Sequence, residues 1–154
     1  MPIFFFSIKN FRNSEVLDSK IISFSFVQLL LVVISFLGLI MSFIFSDFSN
    51  ETVLNNSHTT KPLFYKISGT WGNHEGSLLL WLLVLKLFIF IFLLKSRNLL
   101  KKYRILTVIF QQIIIIGFFI FLLNFSNPFN HVFPTPSEVL GLNPILQDPA
   151  LAIH

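Results

Sequence analysis

Residues Ile21 to Phe45 read IISFSFVQLLLVVISFLGLIMSFIF, twenty-five positions without an acid or a base. A bilayer core is crossed by roughly 20 helical residues, so this run is long enough to span one. It shows no polar face, only scattered serines and the amide of Gln28, which suits a helix surrounded by lipid or other helices. Two further runs follow: residues 77–94, 18 positions with a single charge, Lys86, and residues 105–123, 19 positions with none. Inside lipid only helices and closed barrels satisfy their own backbone, and unbroken apolar runs point to helices. The expected fold class is an all-α integral membrane protein with three transmembrane helices.

Composition agrees. Hydrophobic residues make up 54% of the 154 positions, 21 of them Phe, and charged residues only 12%, about half the share of a soluble domain. The net charge of +4 is not a nucleic-acid signature, because the bases cluster in short segments beside the apolar runs. The absence of cysteine excludes disulfides, thiolate metal sites and thiol catalysis. The N-terminal run Ile3 to Phe6 is too short to span or to target.

Orientation follows from Lys and Arg. Segment 1–20 carries Lys9, Arg12 and Lys20, and the 95–104 connection carries Lys95, Arg97, Lys101, Lys102 and Arg104. The 46–76 connection has only Lys61 and Lys66, and the 124–154 tail has none. Eight bases against two predict the N-terminus inside and the C-terminus outside. Segments 46–76 and 124–154 are then outer, and they hold His58, His74, His131 and His154 with six of the seven prolines. Loops of that length in a compact domain usually carry function.

Four features carry candidate chemistry. Lys86, in the middle of the second span, is either a functional charge or a bundle-facing lysine satisfied by Gln111 or Gln112; burying it costs at least about 2.5 kcal/mol, which favours a paired or snorkelling side chain. Trp71-Gly72-Asn73-His74-Glu75-Gly76 ends the first outer loop, with glycines free to take unusual backbone geometry and Ser77 as the expected N-cap of the second span. Trp71 is either an interfacial anchor or part of a tight turn presenting an aromatic plane, an imidazole and a carboxylate together. No second histidine follows His74 at the zinc-protease spacing. In the tail, Asp148-Pro149 starts a helix that Ala150 to Ile153 continue and His154 cuts short, the expectation for a piece of a longer protein. Asn50-Glu51-Thr52, Asn55-Asn56-Ser57 and Asn124-Phe125-Ser126 match the N-glycosylation pattern, which recurs by chance in so Asn-rich a chain.

Two blocks then resemble a known family. Residues Pro62 to Trp81, PLFYKISGTWGNHEGSLLLW, and Leu142 to His154, LNPILQDPALAIH, are similar in sequence and order to CcmF, the haem lyase of the Ccm pathway of cytochrome c maturation. Ser126-Asn127-Pro128-Phe129 fits between them, and the likeness covers roughly residues 21–154. The resemblance implies that haem, b-type and in transit, is received from the carrier CcmE and held on the outer membrane face while apocytochrome c is attached to it. It matches His154 to a haem-iron ligand, a role that neutral imidazole suits. Trp71 and His74 stand as possible platform residues, and no residue is expected to be catalytic. The family's following Pro-Pro, its further helices and its Trp-rich haem motif are not in this sequence. The chain is therefore expected to be non-catalytic alone and to be completed by chains carrying those elements. The variants Ile67-Ser68-Gly69-Thr70-Trp71 and Leu151-Ala152-Ile153-His154 resemble mitochondrial versions, which implies the mitochondrial inner membrane with outer loops in the intermembrane space; a bacterial plasma membrane is the alternative. Two other functions stand beside this one: a structural membrane subunit of a respiratory assembly without haem chemistry, and a transporter fragment organised on Lys86.

Overall fold

A computed structural model gives the architecture; the described residues are 14–134, with side chains from Asp18 onward. The elements are α1 (Ser14–Phe45), α2 (Glu51–Asn56), α3 (Leu63–Gly69), α4 (His74–Lys95), a 3-10 turn (Ser96–Asn98) and α5 (Lys101–Phe125). Helices α1, α4 and α5 each contain one of the three apolar runs, and all three are long and apolar enough to cross a membrane. At 1.5 Å per residue, the 22 residues of α4 cover roughly 33 Å. The helices outrun the apolar runs because an apolar run marks only the lipid-facing part, whereas a helix continues until a cap stops it. Residues 46–76 are not plain loop either, since α2 and α3 lie within them. Among the described residues there is no strand, only an isolated antiparallel bridge between Asn50 and His131.

Only 28% of the apolar window of each long helix is buried within the chain. Phe26, Leu31, Phe88, Phe110 and Ile113 are exposed. In water such surface would drive aggregation, so lipid or further helices cover it.

The chain divides into two compact units, Met1–Val33 with Leu82–Phe119 and Ile34–Trp81 with Ile120–His154. In the first, Ile21, Ile89, Leu93 and Val108 form one buried apolar cluster and Val32, Leu82 and Ile115 another. Apolar packing is non-directional, so polar contacts must fix how the helices are registered. Arg104 of α5 is buried and donates from Nη1 to Asp18 Oδ2 of α1 at 2.8 Å and from Nη2 to the Leu93 carbonyl of α4 at 2.9 Å. Lys86 of α4 donates from Nζ to Gln28 Oε1 of α1 at 2.9 Å and to Gln112 Oε1 of α5 at 3.2 Å. The expected pairing with Gln112 is therefore present. Gln111 instead donates to the Leu85 carbonyl at 3.0 Å, and Gln28 is a second acceptor from another helix.

In the second unit, Leu39, Phe43 and Val53 are fully buried. A Cβ on Gly69 of α3 would stand only 3.2 Å from the buried Phe43 ring, tighter than ordinary contact, so a side chain there requires the ring to shift. Helix α1 ends with Ser46 at φ 54°, while the Asp47 amide donates to the Ser42 carbonyl at 2.9 Å and the Ser46 amide to the Phe43 carbonyl at 3.2 Å. This left-handed helix end usually takes glycine. Serine offers a compensation, because Lys66 Nζ donates to its hydroxyl at 2.7 Å.

The Lys86 arrangement predicts non-additive stability. Gln112→Leu, which takes one acceptor from a buried ammonium, should lower stability by about 1–3 kcal/mol. Replacing Gln28, Lys86 and Gln112 together by Leu, Met and Leu should recover most of that loss, because no polar group is then stranded. Thermal unfolding in detergent measures both. A triple variant less stable than Gln112→Leu would show that the charge itself is required.

Candidate functional site

The site is built from the start of α4 outward. Asn73 Oδ1 accepts the Gly76 amide at 2.7 Å, the contact of an N-cap residue with the third helical position. Its Nδ2 donates backward to the carbonyls of Gly69 at 2.7 Å and Thr70 at 3.3 Å. One buried side chain thus joins the end of α3 to the start of α4. The expected cap, Ser77, lies inside the first turn and donates to the His74 carbonyl at 2.9 Å. The helix begins one turn earlier because its polar first turn needs no apolar side chains. Gly76 is required for space and not for an unusual φ: a Cβ there would collide with the Thr70 carbonyl, and no described glycine has a positive φ.

The second part ties residues 49–52 to residues 128–132. The Glu51 amide donates to the Asn130 carbonyl and the Val132 amide to the Ser49 carbonyl, each at 2.9 Å. Asn50, fully buried, caps α2 by accepting the Thr52 and Val53 amides, while its Nδ2 donates to the Pro128 carbonyl at 2.9 Å. Thr52 Oγ1 donates to the same carbonyl at 3.3 Å. Both polar atoms of the buried Asn50 side chain are thereby engaged, which makes this position of the Asn50-Glu51-Thr52 pattern unfit to accept a glycan.

Between these parts opens a cleft of about 410 Å³, lined among others by Glu51, Asn73, His74, Glu75, Phe125 and Ser126. His74 is exposed at its edge. Its Nδ1 is 2.7 Å from Ser126 Oγ, and its ring stands edge-on to Phe121 at 6.3 Å. When Nδ1–H donates to that hydroxyl, Nε2 keeps its lone pair for a ligand. His58 differs: its Nδ1 accepts the Thr60 amide at 3.3 Å, which puts the proton of the neutral ring on Nε2. His131 is exposed, beside Phe133 at 6.4 Å. Half-burial lowers the pKa of Lys61 from its ordinary value, and its ammonium donates to the Asn56 carbonyl at 3.0 Å.

Of the sequence-derived site residues, His74 and Glu75 come together at the cleft, whereas Trp71 is half-buried and outside its lining. The aromatic ring beside His74 is Phe121. His154 and the Asp148-Pro149 helix start lie outside the described residues. The parts sequence reasoning missed are Ser126, Asn50 and the double role of Asn73; only the Asn three residues before Gly76 gave a local signal.

The chemistry of the cleft decides whether haem could sit in it. Phe125 is its one apolar wall, and Glu51 and Glu75 add two carboxylates. Sites for macrocyclic cofactors are mostly apolar, and carboxylates repel propionates. The residues of this cleft do not by themselves fit haem, and no group of three metal-ligating side chains occurs among the described residues.

Two substitutions test the α3–α4 junction. Asn73→Ala should cost about 1–2 kcal/mol through loss of the cap, and Gly76→Ala more, because its obstacle is backbone. Hydrogen exchange of peptides covering residues 69–80 in detergent should accelerate in both variants. Exchange unchanged in Asn73→Ala would deny the clip its role.

Comparison with known proteins places this geometry. A family model described as "Cytochrome C assembly protein" matches residues 71–154, just over half the chain. The chain is 48% identical over 128 residues to the cytochrome c-type biogenesis protein CycK of Rhizobium meliloti, covering 83% of this chain and 19% of that protein. It is 44% identical over 142 residues to CycK of Bradyrhizobium diazoefficiens, with 92% and 22% coverage. Against CcmF of Escherichia coli it is 36% identical over 132 residues, with 85% and 20% coverage. It therefore spans about a fifth of the length of these relatives. No solved structure matches the chain. With its model matched through both the Trp71–Gly76 turn and the tail to His154, the chain belongs to the cytochrome c assembly protein family.

Proposed function

We propose that this chain is a portion of a CcmF-type haem lyase that helps to hold haem on the outer face of an energy-conserving membrane for attachment to apocytochrome c. The observation that carries this reading is the family match over residues 71–154, supported by 48% identity to a cytochrome c-type biogenesis protein. The eight-to-two distribution of bases supports an inside N-terminus and an outer site. The membrane is proposed to be the mitochondrial inner membrane, on the sequence variants around Ile67 and Ile153.

Haem is substrate here: its vinyl groups take up the two thiols of an apocytochrome Cys-x-x-Cys-His motif. This chain's share is to hold and orient. His154 is the proposed iron ligand, since imidazole offers a neutral nitrogen donor. The tie of residues 128–132 to residues 49–52 supports a fixed base from which the tail departs. The polar cleft supports a framing role for His74, with haem against apolar surface elsewhere. Partners in this reading are the chains or segments carrying the remaining CcmF helices and the Trp-rich motif, the carrier CcmE, and apocytochrome c.

A mild-detergent pull-down of the tagged chain, with mass spectrometry and a reduced haem spectrum, is the test. Recovery of a protein bearing the Trp-rich motif together with haem is expected. In that assembly His154→Ala should remove most covalent attachment, while His58→Ala should leave it unchanged. Respiratory-complex subunits recovered without haem would move the function to a structural subunit.

A further inference from the structure

The end of the first unit where α1 begins, α4 stops and α5 starts carries charge that its neighbours do not balance. Lys95, Arg97, Lys101, Lys102 and Arg104 fall within ten residues. The first turn of α5 holds no acid, so no carboxylate there offsets the positive end of its dipole. Asp18 is already engaged by Arg104 at 2.8 Å. The Lys101 ammonium is buried with no hydrogen-bond partner among the described residues, an arrangement that is costly unless an anion lies near.

A cleft of about 440 Å³ opens at this end, lined by Asp18, Ser19, Ile22 and Ser23 of α1, Arg97 of the 3-10 turn and Arg104 of α5. Two guanidinium groups and two hydroxyls form a donor set suited to the oxygens of a phosphate. The three candidate spans begin or end at Asp18, Asn98 and Lys101, which puts the cleft at headgroup depth. Leu99, Leu100 and Tyr103, which lie between Arg97 and Arg104 in the sequence, are exposed, as expected of side chains meeting the upper acyl chains. The geometry points to a binding site for the phosphate of an anionic phospholipid, held between Arg97 and Arg104 with Ser19 and Ser23 as further donors. A free phosphate offers the same chemistry, but the exposed leucines between Arg97 and Arg104 in the sequence fit a ligand with acyl chains.

The test uses the full chain in nanodiscs of phosphatidylcholine with a minor share of phosphatidylglycerol, ejected for native mass spectrometry. The wild-type chain should keep a phosphatidylglycerol. Arg97→Gln should lower that retention roughly five-fold, and Lys102→Gln, which removes the same charge outside the cleft lining, should change it less than about two-fold. Arg97 is exposed, so its replacement leaves the Asp18–Arg104 pair in place. Equal losses in the two variants would reduce the effect to diffuse attraction and overturn the site. Retention of added inorganic phosphate without any lipid would overturn the assignment to a phospholipid.

Discussion

A buried ammonium persists only where acceptors meet it, and the first unit is organised by that requirement. Lys86 on α4 finds one amide oxygen on α1 and another on α5, at 2.9 and 3.2 Å. The surrounding apolar side chains would tolerate many sliding positions, since lipid competes with them on nearly equal terms. A one-turn slip of about 5.4 Å would carry either carbonyl out of reach. The register is therefore specified by a single lysine and two glutamines. Arg104 repeats the device at the polar end, bonding to both α1 and α4. Neither group needs a part in chemistry to explain its presence.

The second unit meets a different demand. Two short helices and the ends of three long ones leave many backbone groups without intrahelical partners. Asn50 and Asn73 answer several of them, each capping one helix while donating to carbonyls of another segment. Asparagine suits this task because one side chain carries an acceptor and two donors. The same economy explains why Asn50, despite its glycosylation-like context, is occupied.

The three spans were legible because membrane crossing is a length condition on apolar residues, and Ile21–Phe45 met it without ambiguity. The Lys86–Gln112 contact was legible because a charge in a span demands a partner on a neighbour. Gln28 was less so, although it is the only amide in its run. Asn73 was passed over for Ser77 because the apolar run begins there, while helix starts follow hydrogen-bond geometry and not hydropathy. The pairing of residues 49–52 with 128–132 left no local trace: nearly eighty positions separate its halves, and its hydrogen bonds all end on backbone carbonyls, two of them donated by backbone amides. Trp71 and His74 are close in sequence, yet only His74 reaches the cleft.

That separation bears on where substrate can sit. An exposed imidazole in 2.7 Å contact with a buried serine has its ring orientation fixed by that bond. Rigidity is what a scaffold must supply, since a loosely held ligand gives up orientation before it gives up affinity. The cleft beside it is nevertheless walled mainly by amides and carboxylates, with Phe125 as its apolar side chain, so it is not itself a slot for a macrocycle. Under the proposed function, the second unit acts by fixing the base of the tail, and the surface that meets the porphyrin is supplied outside this cleft. Family membership and the poor fit of this cleft to haem are thus compatible, because the chain covers about a fifth of its relatives.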